Sequence, residues 1–140
     1  MMNAAGTYHC RQIISGRAEG EALVSKEPVC FYLCDPETGE IIDKNHPLRG
    51  KNVAGKILIL QSGKGSSVVQ LDGLFQLAMK GNLPKAIVVI DTEPVLVSSA
   101  FVVNLPMVDR FEGDPYAAIH DGDRVVVDAG AETVTVIPRA

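Results

Sequence analysis

The stretch Lys56–Lys80, KILILQSGKGSSVVQLDGLFQLAMK, decides the fold. Ile57 to Leu60, closed by Gln61, is an apolar run of buried-strand length; Ser62–Ser67 interrupts it, and helical spacing follows. The pattern is a strand, a Gly-rich turn and a helix. Gly63 and Gly65 permit backbone angles and close approaches that a side chain would block, and Ser66 or Ser67 can cap the helix by accepting its orphan N–H groups. Such a helix start presents free amides and a positive dipole end to an anion, a carboxylate or a phosphate, and would stabilise a nearby serine that has lost its proton. A plain tight loop with a serine cap fits the same residues, and both readings stand at this level. The loop is not a Walker A motif, because a single residue, Lys64, separates Gly63 from Gly65.

Outward from this stretch, Val68, Leu71, Leu74, Phe75 and Ala78 recur at helical intervals, a face expected to pack on the sheet. Gly81-Asn82-Leu83-Pro84 stops the helix, and Ala86–Ile90 reads as a second buried strand, completing a right-handed βαβ unit. Glu93-Pro94 opens a short helix reaching Val103, Leu105–Asp109 is the next parallel strand, and Asp114-Pro115 starts another helix. Arg124–Asp128 and Thr133–Ile137 form a hairpin about Ala129-Gly130.

On the amino-terminal side the first residues read as frayed, Cys10–Ile14 as a strand, and Arg17, Glu19 and Glu21 as a solvated turn before an apolar strand at Ala22–Val24. Val29–Leu33 reads as a strand, Asp35–Gly39 as a turn, Glu40–Ile42 as a short hairpin strand, and 43–55 as a loop in which His46 is a loop residue rather than a ligand. The expected fold is one α/β domain over residues 1–140, with β-rich parts flanking a short parallel core. The glycine loop lies at the carboxyl end of a parallel strand, where such sheets bind ligands.

The net charge of −4 without a basic cluster argues against a nucleic-acid partner. No apolar run approaches the roughly 18 residues of a membrane span, and Met1-Met2-Asn3 lacks the regions of a signal peptide, so the expected location is cytoplasmic. Cys10, Cys30 and Cys34 are an odd set read as free thiols, and two neighbouring thiols do not complete a tetrahedral metal site, so no metal is expected on this chain.

Four motifs in order, GRAEGEAL (Gly16–Leu23), DPETG (Asp35–Gly39), HPLRGKNVAGKIL (His46–Leu58) and SGKGSS (Ser62–Ser67), resemble the small subunit, or swivel domain, of the aconitase X family. The resemblance spans nearly the whole chain. It implies a swivelling β/β/α domain that closes on a large aconitase X-type subunit carrying an iron–sulfur cluster, the pair forming a heterodimer or higher heteromer. The implied reaction is dehydration of a 3-hydroxy carboxylic acid, mevalonate 5-phosphate or cis-3-hydroxy-L-proline. The family's catalytic base falls on Ser66, with Gly63, Lys64, Gly65 and Ser67 as substrate-binding residues. Two departures bear on the substrate: Phe31-Tyr32-Leu33-Cys34 replaces the family's approach to the DPETG turn, and Val69-Gln70-Leu71 replaces its usual continuation of the serine motif. A non-catalytic anion-binding module and a structural swivel module are the alternatives.

Overall fold

The computed structural model describes residues 5–139. Its strands are β1 (Gly6–His9), β2 (Arg11–Ile14), β3 (Arg17–Ser25), β4 (Ile57–Leu60), β5 (Ala86–Val89), β6 (Met107–Asp109), β7 (Arg124–Asp128) and β8 (Thr133–Ile137). Three helices, α1 (Ser67–Met79), α2 (Pro94–Val102) and α3 (Pro115–Ala118), lie between them. The strands are ordered β1-β8-β7-β3-β4-β5-β6-β2, with β3, β4, β5 and β6 parallel and the remaining pairings antiparallel. The parallel core flanked by antiparallel strands is as expected.

Two long strand runs hold this order together. β3 pairs antiparallel with β7 through Arg17–Glu21 and parallel with β4 through Ala22–Ser25, so one strand serves both halves of the sheet. The charged segment read as a solvated turn is therefore strand. Its charges tolerate this because they face outward, and Glu19 accepts from Arg124 Nε at 2.9 Å across the ladder. Likewise β1 and β2 are separated only by Cys10, yet they occupy opposite ends of the order, on β8 and β6. The sequence reading missed β1, whose exposed and half-exposed alternation Gly6-Thr7-Tyr8-His9 lacks an apolar run.

β4 and β5 are apolar throughout because both of their faces are covered. Leu58, Leu60, Ile87 and Val89 join the core beneath α1 and α2, whereas Ile57, Ile59, Ala86 and Val88 join a second core with Val125, Val127, Val134 and Val136.

α1 exists as expected but is rotated about its axis: of the expected face Leu74 is buried and Ala78 half-buried, and the rest is exposed. It buries Gln70, Gly73, Leu74 and Leu77, while Val68, Leu71, Phe75 and Met79 are exposed, Val68 by 74%. Gly73 explains the choice: a Cβ there would lie 2.3 Å from Tyr32 N and 2.5 Å from Phe31 C, so the helix backbone meets the preceding chain at a point only glycine allows. That preceding segment is not the strand expected at Val29–Leu33. Phe31–Leu33 is a single 3₁₀ turn, and Val29 makes only an isolated bridge to Gly63. Glu40–Ile42 is similarly reduced to isolated bridges, Cys34 to Ile41 and Glu40 to Asn52, while the Asp35–Gly39 turn is present, closed by Gly39 N–H to Asp35 C=O at 2.6 Å.

Candidate active site

The carboxyl ends of β3, β4 and β5 share one edge, with Ser25 beside Leu60 and Leu60 beside Val89. The chain leaving β4 there is the serine loop. Val29 anchors it from one side, donating its N–H to Ser62 C=O and accepting from Lys64 N–H, both at 3.1 Å. The Lys64 amide is thus spent inside the fold. Among the described residues, the amides of Gly65, Ser66, Ser67 and Val68, at the start of α1, find no intramolecular acceptor.

Ser66, not Ser67, is the N-cap of α1. Its backbone is extended (φ −68°, ψ 170°), and its Oγ accepts the Val69 N–H at 3.4 Å. Ser67 is the first helical residue, and both serines are exposed. Lys64 is exposed and makes no ion pair among the described residues. Gly65, at φ +113°, adopts the left-handed region, and a Cβ there would lie 2.9 Å from Val69 Cγ1. The structure therefore brings Lys64, Gly65, Ser66 and Ser67 to one exposed rim. Gly63 sits lower: a Cβ on it would stand 2.2 Å from Gln70 Oε1, so this glycine makes room for a neighbour within the fold.

Behind the rim lies a polar set that sequence reasoning did not single out. Gln70 Nε2 donates to Gly65 C=O (2.9 Å) and to Glu93 Oε1 (3.2 Å). Glu93 caps α2, accepting from Leu96 N–H at 2.8 Å and Val95 N–H at 2.9 Å. Gln61 donates to Asp91 across the ends of β4 and β5. Asp109, 2% exposed at the end of β6, takes a two-pronged contact from Arg11 (2.8 and 2.7 Å) and a hydrogen bond from Thr92. Burial pushes the Asp109 carboxyl up, but the Arg11 and Thr92 hydrogen bonds and the charges of Arg11 and Arg110 outweigh it and hold it below the ordinary range. One signal was available: Asp91-Thr92-Glu93 leaves β5 as the serine loop leaves β4. Gln70 stood out only as part of Val69-Gln70-Leu71, the departure from the family's serine motif, and nothing in the string showed what its amide meets.

Beside the loop, at the end of β3, a cleft of about 460 Å³ is lined by Ser25, Lys26, His46, Tyr116 and others. His46 is a buried loop residue whose Nδ1 accepts the Leu48 N–H at 3.0 Å, leaving Nε2 to face Ser25 Oγ at 3.4 Å. The three thiols are free; burial, then Cys30 and Asp43, push Cys34 up to about 12, away from the thiolate a metal needs. Among the described residues no three His, Cys, Asp or Glu side chains converge as a metal would require. The described residues do not fit an iron–sulfur cluster.

The family model of the aconitase X swivel domain matches residues 7–136. The chain belongs to the aconitase X swivel-domain family. Among curated members of known name, the phosphomevalonate dehydratase small subunit of Methanocella arvoryzae is 46% identical over 121 residues, covering 86% of this chain and 91% of that protein. The protein of the same name from Methanosarcina acetivorans is 38% identical over 128 residues, covering 91% and 88%. The holo-form crystal structure of Thermococcus kodakaraensis aconitase X superposes with a TM-score of 0.85 at 36% identity, covering 95% of this chain and 99% of that one. The swivel-domain fold expected from the four motifs is thereby established. No helix among the described residues is long and apolar enough to cross a membrane.

Proposed function

We propose that this aconitase X swivel domain is the small subunit of a phosphomevalonate dehydratase, working with a larger subunit on mevalonate 5-phosphate, and that Ser66 is the base. The observation that carries the reading is the position of Ser66: an exposed hydroxyl at the cap of a 13-residue helix, its Oγ already accepting one backbone N–H. In that place the helix dipole and the amide favour the serine alkoxide over the alcohol. The alkoxide takes the proton from the carbon next to the substrate carboxylate, the carbon–oxygen bond at the neighbouring carbon breaks as its electron pair goes with the oxygen, and the departing hydroxide leaves as water with a proton equivalent to the one Ser66 took, which restores the alkoxide. Negative charge accumulates at the carboxylate, where the free amides of Gly65, Ser66 and Ser67 and the Lys64 ammonium can bind it. Gly63 acts through shape.

The serine rim is open, so a second chain must complete the pocket. Exposed Val68, Phe75 and Met79 on α1 and Phe101 and Val102 on α2 support an assembly. We place the iron–sulfur cluster on the larger subunit, because the thiols here do not fit it. The experiment is co-expression with the larger subunit, followed by a substrate panel of mevalonate 5-phosphate and cis-3-hydroxy-L-proline. Turnover of the phosphorylated acid by the pair, and by neither chain alone, is the expected result; a pair that dehydrates only the proline derivative reassigns the substrate, and a pair inert to both favours an anion-binding or structural module.

A further inference from the structure

Gln70 is 2% exposed and sits inside α1 beneath the serine rim. The orientation of its amide is fixed by its neighbours: Nε2 meets Gly65 C=O and the Glu93 carboxylate, both of which can only accept, so the turned-over amide would set oxygen against oxygen. Oε1 consequently points at Gly63, where no N–H or O–H reaches it. It fills the volume in which a Cβ at position 63 would lie, 2.2 Å away. A buried amide oxygen without a conventional donor is unfavourable, and the arrangement persists because Nε2 ties two otherwise separate segments together.

We propose that Gln70 is the positioning residue of the serine loop, fixing the Gly65 carbonyl, and with it the peptide that carries Ser66, against the Glu93 cap of α2. On its amino-terminal side the rim is held by Lys64 N–H to Val29 C=O, and on the other by Gln70 to Gly65 C=O. Between these anchors Gly65 occupies a left-handed conformation with no side chain to limit rotation. Without the Gln70 side-chain donor the Gly65 carbonyl is released, and Ser66 is left held only from the helix side, by Gln70 N–H to its C=O at 2.9 Å and by the long Val69 N–H bond to Oγ, so that Oγ is placed less firmly. Gln70 touches no substrate; it acts through Ser66. The inference rests on the reading of Ser66 as base, and deepens it by naming what places that base.

The test uses the two-subunit enzyme with Gln70→Leu and Gln70→Glu. Misplacing a reacting group by an ångström costs on the order of 10²-fold, so Gln70→Leu is expected to lower kcat on mevalonate 5-phosphate by roughly 10- to 100-fold with KM changed by about twofold or less. Gln70→Glu is nearly isosteric, but its carboxylate would face Glu93 and Gly65 C=O and can donate only when protonated. The ratio of its kcat to that of the parent enzyme should therefore rise as pH falls, a dependence that a loss of packing would not produce. Hydrogen exchange in the same complexes supplies a readout independent of turnover: the Lys64 and Val69 amides, which bond Val29 C=O and Ser66 Oγ on either side of the clamped peptide, should exchange faster while those of β4 stay unchanged. Altered exchange where the parent two-subunit protein itself dehydrates neither substrate upholds the clamp and overturns the proposed function of Ser66. Unchanged exchange, near-parental kcat in Gln70→Leu, or a flat pH ratio in Gln70→Glu overturns the clamp. Should Gln70→Leu fail to fold, the Gln70→Glu pH ratio decides alone.

Discussion

Replacing Ser66 with alanine separates its two roles by size. Among the described residues its side chain makes one hydrogen bond, the 3.4 Å cap bond to Val69 N–H, at the long end of hydrogen bonding, and the residue is exposed. The stability loss should therefore sit at the low end for caps, about 0.5 kcal/mol, a melting shift of only about 2 °C. A positioned base contributes far more to the reaction, on the order of 10²- to 10⁴-fold, or roughly 3–5 kcal/mol in the transition state. Ser67→Ala loses no base and no cap; a missing ligand hydrogen bond of about 1 kcal/mol should appear in KM. The assay is exchange of the proton next to the carboxylate of mevalonate 5-phosphate in deuterated water, catalysed by the two-subunit enzyme. Near-parental exchange in Ser66→Ala would refute the assignment, and abolition by Ser67→Ala instead would move the base by one residue.

Three further outcomes follow from the packing. Gly73→Ala would stabilise an open helix by about 1 kcal/mol, but here the Cβ meets Tyr32 N at 2.3 Å, so thermal denaturation should show a net loss of roughly 1–3 kcal/mol. Leu74→Ala, in the core, should destabilise by about 2–5 kcal/mol in urea titration, whereas Phe75→Lys on the exposed face should change the isolated chain by about 0.5 kcal/mol or less; equal effects would restore the face expected from periodicity. The Asp109 carboxyl is held below its ordinary value of 3.8, so its contribution is present above that value and is lost as pH falls through it toward the lower folded value. Between about pH 6 and about pH 3 the urea midpoint of the parent chain should therefore fall further than that of Asp109→Asn; parallel curves would contradict the Arg11–Asp109 pairing.

The central strand–loop–helix, its partner strand, α2 and the closing hairpin were legible because each is signalled locally, by an apolar run, a cap or a glycine turn. What escaped depended on distant residues. The helix face failed because α1 carries apolar residues on both sides, and a close approach at Gly73, set by the chain at 31–32, decides between them. Arg17–Glu21 looked like a turn because its strand character comes from β7, more than a hundred residues away. At the site, the serine motif and its neighbours were visible as a string, whereas Gln70 and Glu93 are meaningful only where α1 and α2 meet. A side chain whose work is to face the interior of a loop has no periodicity to betray it.

The joining of both ends of the strand order through Cys10 bears on how the chain is made. Gly6 pairs with Val136, so β1 waits for some 130 residues, from 6 to 136, before its partner exists. At bacterial-type synthesis rates that interval is on the order of ten seconds. β2 can dock on β6 sooner, when Asp109 and Val108 have emerged. During the remainder of synthesis the edge of β8 is not yet built, and Gly6–His9 trails as an unpaired strand beside a parallel core already able to form. Pairing across such separations is slow, which makes Gly6–His9 the segment most open to capture by a chaperone or by another nascent copy.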